Sequence, residues 1–507
     1  MQHSSAQESV ISALKRQWFF KGSFLTDLLL KDATIVTMNP EREIIGRGAV
    51  AIEKDRISDV GKSEELALRH KSARVIEAKG KVILPGFVNA HTHGIHNLLR
   101  GGISLDKSLY DWLLNAHWPG MLAYKSEDAE IAASLFCAEA FGSGITTNVD
   151  NADWGRLDEL SKPTIKTYQE LGMRAMYARA IIDTACPEMA EYGKTLELQH
   201  PEIVHVSDRG IGFEETKSAM KSVENLMREF HGSADGMIKV WPSPSTPHYS
   251  SAEVMVKSRE LAEKYDAMCA IHVAESKKDK DIYGMSVIEY MDGVGFLCDR
   301  VLAGHCVYVE DRDIRTMKLR DVRVAHMAVS NMYLASGIAP IPRMIAAGVT
   351  VGLGTDDCNC NNSVNMLADM KTVALIHKIP DNDPEAVTAE KVLEMATIDG
   401  ARAVRMEKEI GSIEPGKKAD LIVLDMSSPQ MTPCHNIPGT LVYQASGKEV
   451  NTTIVNGNIV MEDRQFPLIE KKYGSVSNLL AKAQEASNAI VERAGLQRLR
   501  DRSWRSL

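Results

Sequence analysis

Long apolar runs are missing from this 507-residue chain. No stretch reaches the ~20 apolar residues that a membrane-spanning helix requires. The opening segment, MQHSSAQESVISALKRQWFFKGSF, has its short apolar runs broken by Lys15, Arg16 and Lys21, so it lacks the apolar centre of a secretory signal. Residues 1–26 are expected to form a peripheral helix or an ordered tail, with no membrane partner. Cysteine is also scarce. Eight scattered cysteines are too few for a disulfide scaffold and point to a reducing compartment, so the expected location is cytoplasmic. Positive charge is not in excess either: 59 Lys+Arg against 68 Asp+Glu leave a formal charge of −9. Phosphate binding wants clustered Lys and Arg, so nucleic acid is not an expected partner.

Several motifs are absent as well. No GxxxxGK[ST], no GxSxG and no GxGxxG after a strand occurs, which removes support for nucleotide hydrolysis, serine esterase chemistry and dinucleotide redox. The H-x-E and P-C-x-x-C pair of zinc deaminases that act on flipped bases is missing too. What remains is an ordinary globular composition, 44% hydrophobic and 25% charged. The length suits one large α/β unit plus a smaller one.

Residues 27–84 read as short strands with turns, and residues 411–465 return to the same texture in KKADLIVLD and EVNTTIVNGNIVMED. Two β-rich segments flanking a long middle are expected to combine into one small β unit. Residues 85–410 carry eight apolar runs of strand length: VILPGFVNAH, GITTNVDN, RAMYARAIID, MIKVWPS, MCAIHVAE, RVLAGHCVY, VRVAHMAVS and VTVGLGTDD. Amphipathic stretches such as SAEVMVKSRELAEKYD separate most of them. This alternation predicts a closed parallel barrel with helices outside, with an open doubly wound sheet as the alternative. Residues 466–507 read as a terminal helical segment.

Polar residues interrupt these runs at their C-terminal ends. His91 and His93 lie at i and i+2, so in a strand both face one side. His272 and Glu275 close the fifth run, His305 the sixth, and Asp356 with Asp357 the eighth. In a parallel barrel these ends converge on one mouth. A single histidine at a strand end is more often a hydrogen-bonded core residue. Their joint occurrence favours a metal site, and imidazoles with a carboxylate suit Zn²⁺ or Fe²⁺.

PGFVNAHTH, HVAE, GH and GTDD, with GSIEPGKKADLIVLD, resemble the amidohydrolase superfamily in its cytosine-deaminase-like branch, over about residues 27–465. The resemblance implies a (β/α)₈ TIM barrel and a small β-sandwich made from both chain ends. It also implies one divalent metal ion per subunit, with His91, His93, His272 and Asp356 as ligands. Glu275 matches the acid that protonates the ring nitrogen, and His305 the residue that orients the hydrolytic water. Asp356 would take up that water's proton, and an open metal position would lower the water's pKa to ~7.

Within this branch, GVTVGLGTDDCNCNNSVNMLADMK, LYDWLLNAHWPG, AVSNMYLASGIAP, EMATIDGAR and the terminal WRSL look like the s-triazine hydrolases, the melamine deaminase and atrazine chlorohydrolase group. Asp357, Cys360 and Leu109 side with the deaminating relatives, where the dechlorinating ones carry Asn, Ser and Phe. The expected function is therefore a metal-dependent aminohydrolase of a small aminated heterocycle such as melamine. The alternative is release of chloride, alkylamine, thiol or an amide or carbamate fragment. A non-catalytic scaffold is disfavoured, because the four ligands and Glu275 are all present. Trp112 is expected either to stack on the planar ring or to be a core tryptophan, Asp279 to reach the substrate or to be solvated in KKDKD, and Asn331 to orient substrate or to satisfy a loop backbone. Ser245, in PSPSTPH, stands where nucleoside deaminases of the branch carry His-Ala-Pro, which argues against a nucleoside substrate. Cys358 is read as pocket lining, His96, His117, His248 and His326 as supporting or structural, and Lys239 as too far from the strand end to bridge metals. The resemblance suggests a homo-oligomer, with the terminal helix as a contact.

Overall fold

The computed structural model describes residues 24–103, 106–152, 158–185, 194, 212–501 and 503. Most of the expected N-terminal helix or tail, and the terminal WRSL, lie outside the described residues.

The chain begins with strands β1 (Phe24–Val36), β2 (Ile44–Glu53), β3 (Arg56–Lys62), β4 (His70–Glu77) and β5 (Lys81–Pro85). The middle supplies β6 (Phe87–His93), β7 (Ile145–Ala152), β8 (Arg174–Ile181), β9 (Ile238–Pro244) and β10 (Cys269–Val273). A small hairpin, β11 (Asp281–Ile282) and β12 (Met285–Ser286), precedes β13 (Val301–His305), β14 (Arg323–His326), β15 (Val351–Leu353) and β16 (Asp356–Asp357). The last strands are β17 (Leu421–Asp425), β18 (Val450–Val455) and β19 (Asn458–Glu462).

Both chain ends share one sheet, in the order β19-β18-β17-β5-β1-β2-β3 with β4 paired to β1. The middle forms an α/β fold with two parallel sheets, β16-β6-β7-β8-β9 and β10-β13-β14-β15. Helices such as Ser126–Ser143, Asp158–Leu171, Thr216–Phe230 and Ala252–Lys264 alternate with these strands. Every residue of β7 and β8 is buried, as expected where both faces of a parallel sheet are covered. Two contacts tie the parallel sheets to each other. The His272 amide donates to the Ser245 carbonyl at 3.1 Å. The Asn89 amide group exchanges two hydrogen bonds with Thr355, at 2.9 and 3.0 Å.

Each of the eight apolar runs contains a strand, but the first divides. VILPGFVNAH breaks at Gly86, placing β5 in the outer sheet and β6 in the parallel one. A Cβ at Gly86 would fall 2.1 Å from the Thr146 hydroxyl oxygen, so the chain crosses between sheets where only glycine fits. The eighth run is also split, into β15 and β16, around Gly354 and Thr355. No helix among the described residues is long and apolar enough to cross a membrane.

Candidate metal and catalytic site

Five side chains meet where strands from both parallel sheets end. His91 and His93 close β6, His272 lies near the end of β10, His305 ends β13 and Asp356 opens β16. Asp356 Oδ1 is 3.4 Å from His91 Nε2 and 3.6 Å from His93 Nε2, and His93 Nε2 is 3.4 Å from His272 Nε2. Donors sharing one ion at 2.0–2.2 Å in tetrahedral fashion stand about 3.4 Å apart. The Nε2 atoms of His91 and His305 are buried and have no hydrogen-bond partner. Such orphaned polar atoms are costly unless something else fills the space between them, and the donor set of His91, His93, His272 and Asp356 fits a divalent ion.

The opposite edge of each ring is fixed. His272 Nδ1–H donates to the Ser245 carbonyl at 2.9 Å, His91 Nδ1 faces the Asn151 amide at 2.9 Å, and His305 Nδ1–H donates to Asn331 Oδ1 at 2.9 Å. Such contacts at Nδ1 aim Nε2 inward. Burial lowers the pKa of His91 and His93 to about 4, and burial with the neighbouring His93 and His305 lowers His272 to about 3. These rings are therefore neutral and keep a lone pair for a cation. His305 and Asp356 hold left-handed backbone, φ 65° and 61°. Such conformations cost about 1–3 kcal/mol each in non-glycine residues and concentrate at functional sites.

Burial also pushes the Glu275 carboxyl up to about 7, with Asp356 adding to the rise and His305 opposing it. Glu275 Oε2 lies 3.5 Å from His305 Nε2, and Asp356 Oδ2 lies 3.9 Å from the same atom. Burial opposes charge on His305, yet the carboxylates of Glu275 and Asp356 outweigh it and raise its pKa.

Glu275, His305 and Asp356 line one cavity together with Leu109, Trp112, Asp279, Asp357 and Cys360. Several of these are restrained by neighbours. The Trp112 indole N–H donates to Asn359 Oδ1, and Cys360 Sγ sits 3.1 Å from Ser330 Oγ. Asp279 accepts from the Tyr110 hydroxyl and, at 2.7 Å, from Ser276 Oγ. Asn331 is placed differently from the expectation. It is not among the cavity-lining residues and stands behind His305, because its amide is engaged by the imidazole. Sequence reasoning missed Asn151, Asn359 and Tyr110. All three fall inside segments singled out above, Tyr110 in LYDWLLN, Asn359 between Cys358 and Cys360 and Asn151 at the end of GITTNVDN, but nothing local marked them as partners of the site.

The chain matches the amidohydrolase family over residues 82–460. It belongs to the amidohydrolase family. Its curated relatives include a 5'-deoxyadenosine deaminase of Methanosarcina acetivorans, 34% identical over 474 residues, covering 93% of this chain and 100% of that protein. An S-triazine hydrolase of Gordonia rubripertincta is 34% identical over 487 residues, covering 95% and 100%. Among solved structures, an adenosine deaminase of Xanthomonas campestris with bound zinc is 26% identical with a TM-score of 0.82, covering 93% of this chain and all of that one. An atrazine chlorohydrolase of Arthrobacter aurescens, 22% identical with a TM-score of 0.78 over 91% of this chain and 100% of its own, shares the fold. This amidohydrolase is thus an enzyme whose relatives include deaminases and hydrolases of C–N bonds.

Proposed function

We propose that the protein is a metal-dependent aminohydrolase that removes an exocyclic amine from a small planar N-heteroaromatic ring, an aminated s-triazine such as melamine. The observation that carries this reading is Glu275, a buried acid with its pKa raised to about 7, lining the same cavity as His305, Asp356 and Asp357. His91, His93, His272 and Asp356 would hold a divalent ion, Fe²⁺ or Zn²⁺, whose Lewis acidity makes water a nucleophile at neutral pH.

The chain's own groups divide the rest. Glu275, whose raised pKa keeps a substantial protonated fraction near neutrality, gives its proton to the ring nitrogen beside the attacked carbon, so negative charge does not build up on the ring. His305, oriented by Asn331, donates a hydrogen bond to the entering water. Asp356 Oδ2 takes the water's proton. Asp357 faces the departing nitrogen, Leu109 and Cys360 leave room for it, and Trp112 stacks on the ring. Asp356 then passes the water's proton to the exocyclic nitrogen, the remaining hydroxyl proton restores Glu275, the ring C–N bond breaks as the new C–O bond becomes a carbonyl, and ammonia leaves.

On the same reading the eight parallel strands close into a (β/α)₈ TIM barrel over residues 85–410. Residues 27–84 and 411–465 form the β-sandwich beside it, and 466–507 serve as a helical contact between subunits. The Ser245–His272 and Asn89–Thr355 bonds between the parallel sheets support closure.

The 5'-deoxyadenosine deaminase relatives support a second substrate with the same bond chemistry, a purine bearing an exocyclic amine. Zinc- or iron-loaded enzyme offered melamine, 5'-deoxyadenosine and atrazine, with ammonia and chloride measured, separates these readings. Ammonia from melamine is expected. Ammonia from the nucleoside alone would move the substrate to purines, and chloride without ammonia would overturn the aminohydrolase reading.

A further inference from the structure

Two loops that follow neighbouring strands build one side of the cavity. After β9 the loop through Ser245 and His248 lines it, and after β10 Glu275 and Asp279 do. The β9 loop is pinned at several points. The Ser245 amide donates to the Ile181 carbonyl at 3.0 Å, and the Ser245 carbonyl accepts from His272. The amides of His248 and Tyr249 both donate to Thr246 Oγ1, at 3.2 and 3.3 Å. The Tyr249 carbonyl accepts from the Asp183 amide at 3.0 Å. His248 is thus presented to the cavity from a tethered backbone.

We propose that His248 is a specificity-determining residue: its Nδ1 accepts a hydrogen bond from an N–H of the substrate remote from the departing amine, so the enzyme favours rings that carry a second amino group. This names the substrate class of the aminohydrolase reading above and rests on it. The small hairpin sets the tautomer. His248 Nε2 stands 3.0 Å from the carbonyl oxygen of Asp281, on β11. A carbonyl only accepts, so Nε2 carries the proton and the neutral ring keeps its lone pair on Nδ1. That Nδ1 is buried and has no hydrogen-bond partner among the described residues. Turning the ring to relieve it would break the bond to Asp281.

The lining near this atom offers no obvious donor. Pro247, the preceding residue, has no backbone N–H, and Ile182 and Leu334 of the same cavity are apolar. A buried acceptor left unpaired is costly, so a ligand that brings an N–H is favoured over one of similar shape that brings none. The placement suits a group far from the reacting carbon. Asp357, which faces the departing nitrogen on this reading, lies on β16, and β16 and β9 are the opposite edges of the five-stranded parallel sheet. In a diamino ring one amine leaves and another supplies the N–H that Nδ1 lacks. A methoxy or chloro substituent at that position supplies none.

The test uses zinc-loaded Glu275→Gln enzyme, in which rings bind without turnover, and calorimetry at pH 8. Melamine is compared with 2-amino-4,6-dimethoxy-s-triazine, whose single amine is the one that would leave. The Glu275→Gln enzyme should bind melamine about tenfold or more tighter. Adding His248→Phe, which keeps a planar ring without an acceptor, should erase that preference by weakening melamine alone. Adding His248→Asn, whose Oδ1 replaces Nδ1 but whose side chain is too short for Asp281, should keep most of it. Equal weakening of both rings by both substitutions would mean that His248 only holds the hairpin, and overturns the assignment. Equal binding of the two rings before His248 is changed, or a preference that survives His248→Phe, overturns it too. Failure of the aminohydrolase reading looks different: the wild-type enzyme would then release no ammonia from any aminated ring, and the His248 assignment would fall with it.

Discussion

Glu275 ionises at a disadvantage once folded, because burial raises its pKa from 4.5 to about 7. Between those values the folded chain binds more protons than the unfolded one, so stability contributed by this group is present at low pH and lost as pH rises through the window. Metal-free Glu275→Gln should therefore be more stable than wild type at pH 8 by on the order of 2–3 kcal/mol, and equal to it near pH 4. Urea denaturation at both pH values checks this; equal stability at both would contradict the burial argument. The same substitution should lower ammonia release by about 10²–10⁴-fold with metal content intact. At this scale the sequence exposed much of the site. The i, i+2 spacing of His91 and His93 and the strand-end positions of His272, His305 and Asp356 are properties of single strands. Asn151, Asn359 and the place of Asn331 behind His305 depend on how separate segments meet, which no local pattern encodes.

Among elements, the turn between β15 and β16 passes close against β6. A Cβ on Gly354 would fall 2.7 Å from the His91 carbonyl oxygen and 3.0 Å from its nitrogen, backbone atoms that cannot swing aside. Gly354→Ala should destabilise the fold by about 1–3 kcal/mol and weaken metal binding, because β6 carries His91 and His93. Thermal denaturation and zinc titration measure the two effects, and wild-type behaviour in both would show that the contact is slack. The eight apolar runs contain all nine strands of the two parallel sheets, β15 and β16 sharing the last run, since buried strands need continuous hydrophobicity. The change of sheet at Gly86 has a local mark, the Pro85-Gly86 pair beside the expected boundary at 84/85, although β5 and β6 are both buried and read as one apolar run.

For the whole molecule, the outer sheet is joined to the parallel one through charge buried away from solvent. Arg174 on β8 forks onto Asp420 with hydrogen bonds of 2.8 and 2.9 Å, and both side chains are 2% exposed. Asp420 also accepts from the Asn456 amide at 2.8 Å. Asp420→Ala should cost about 3–5 kcal/mol, because it strands a buried guanidinium, and Arg174→Met with Asp420→Leu should recover much of that loss. Denaturant midpoints of the three proteins decide it; a mild single substitution, or a double one no better than the single, would contradict the coupling. The shared sheet from both chain ends was visible in their common β texture, but this ion pair joins residues too far apart in sequence to suggest each other.

All of these scales bear on one proposed arrangement, His91, His93, His272 and Asp356 as ligands of a single cation. Metal analysis by mass spectrometry of wild type and His272→Ala, purified and dialysed against the same zinc buffer, tests it most directly. One ion per chain in the wild type and almost none in the variant is the predicted result. A fully loaded variant, or two ions per wild-type chain, would contradict the account.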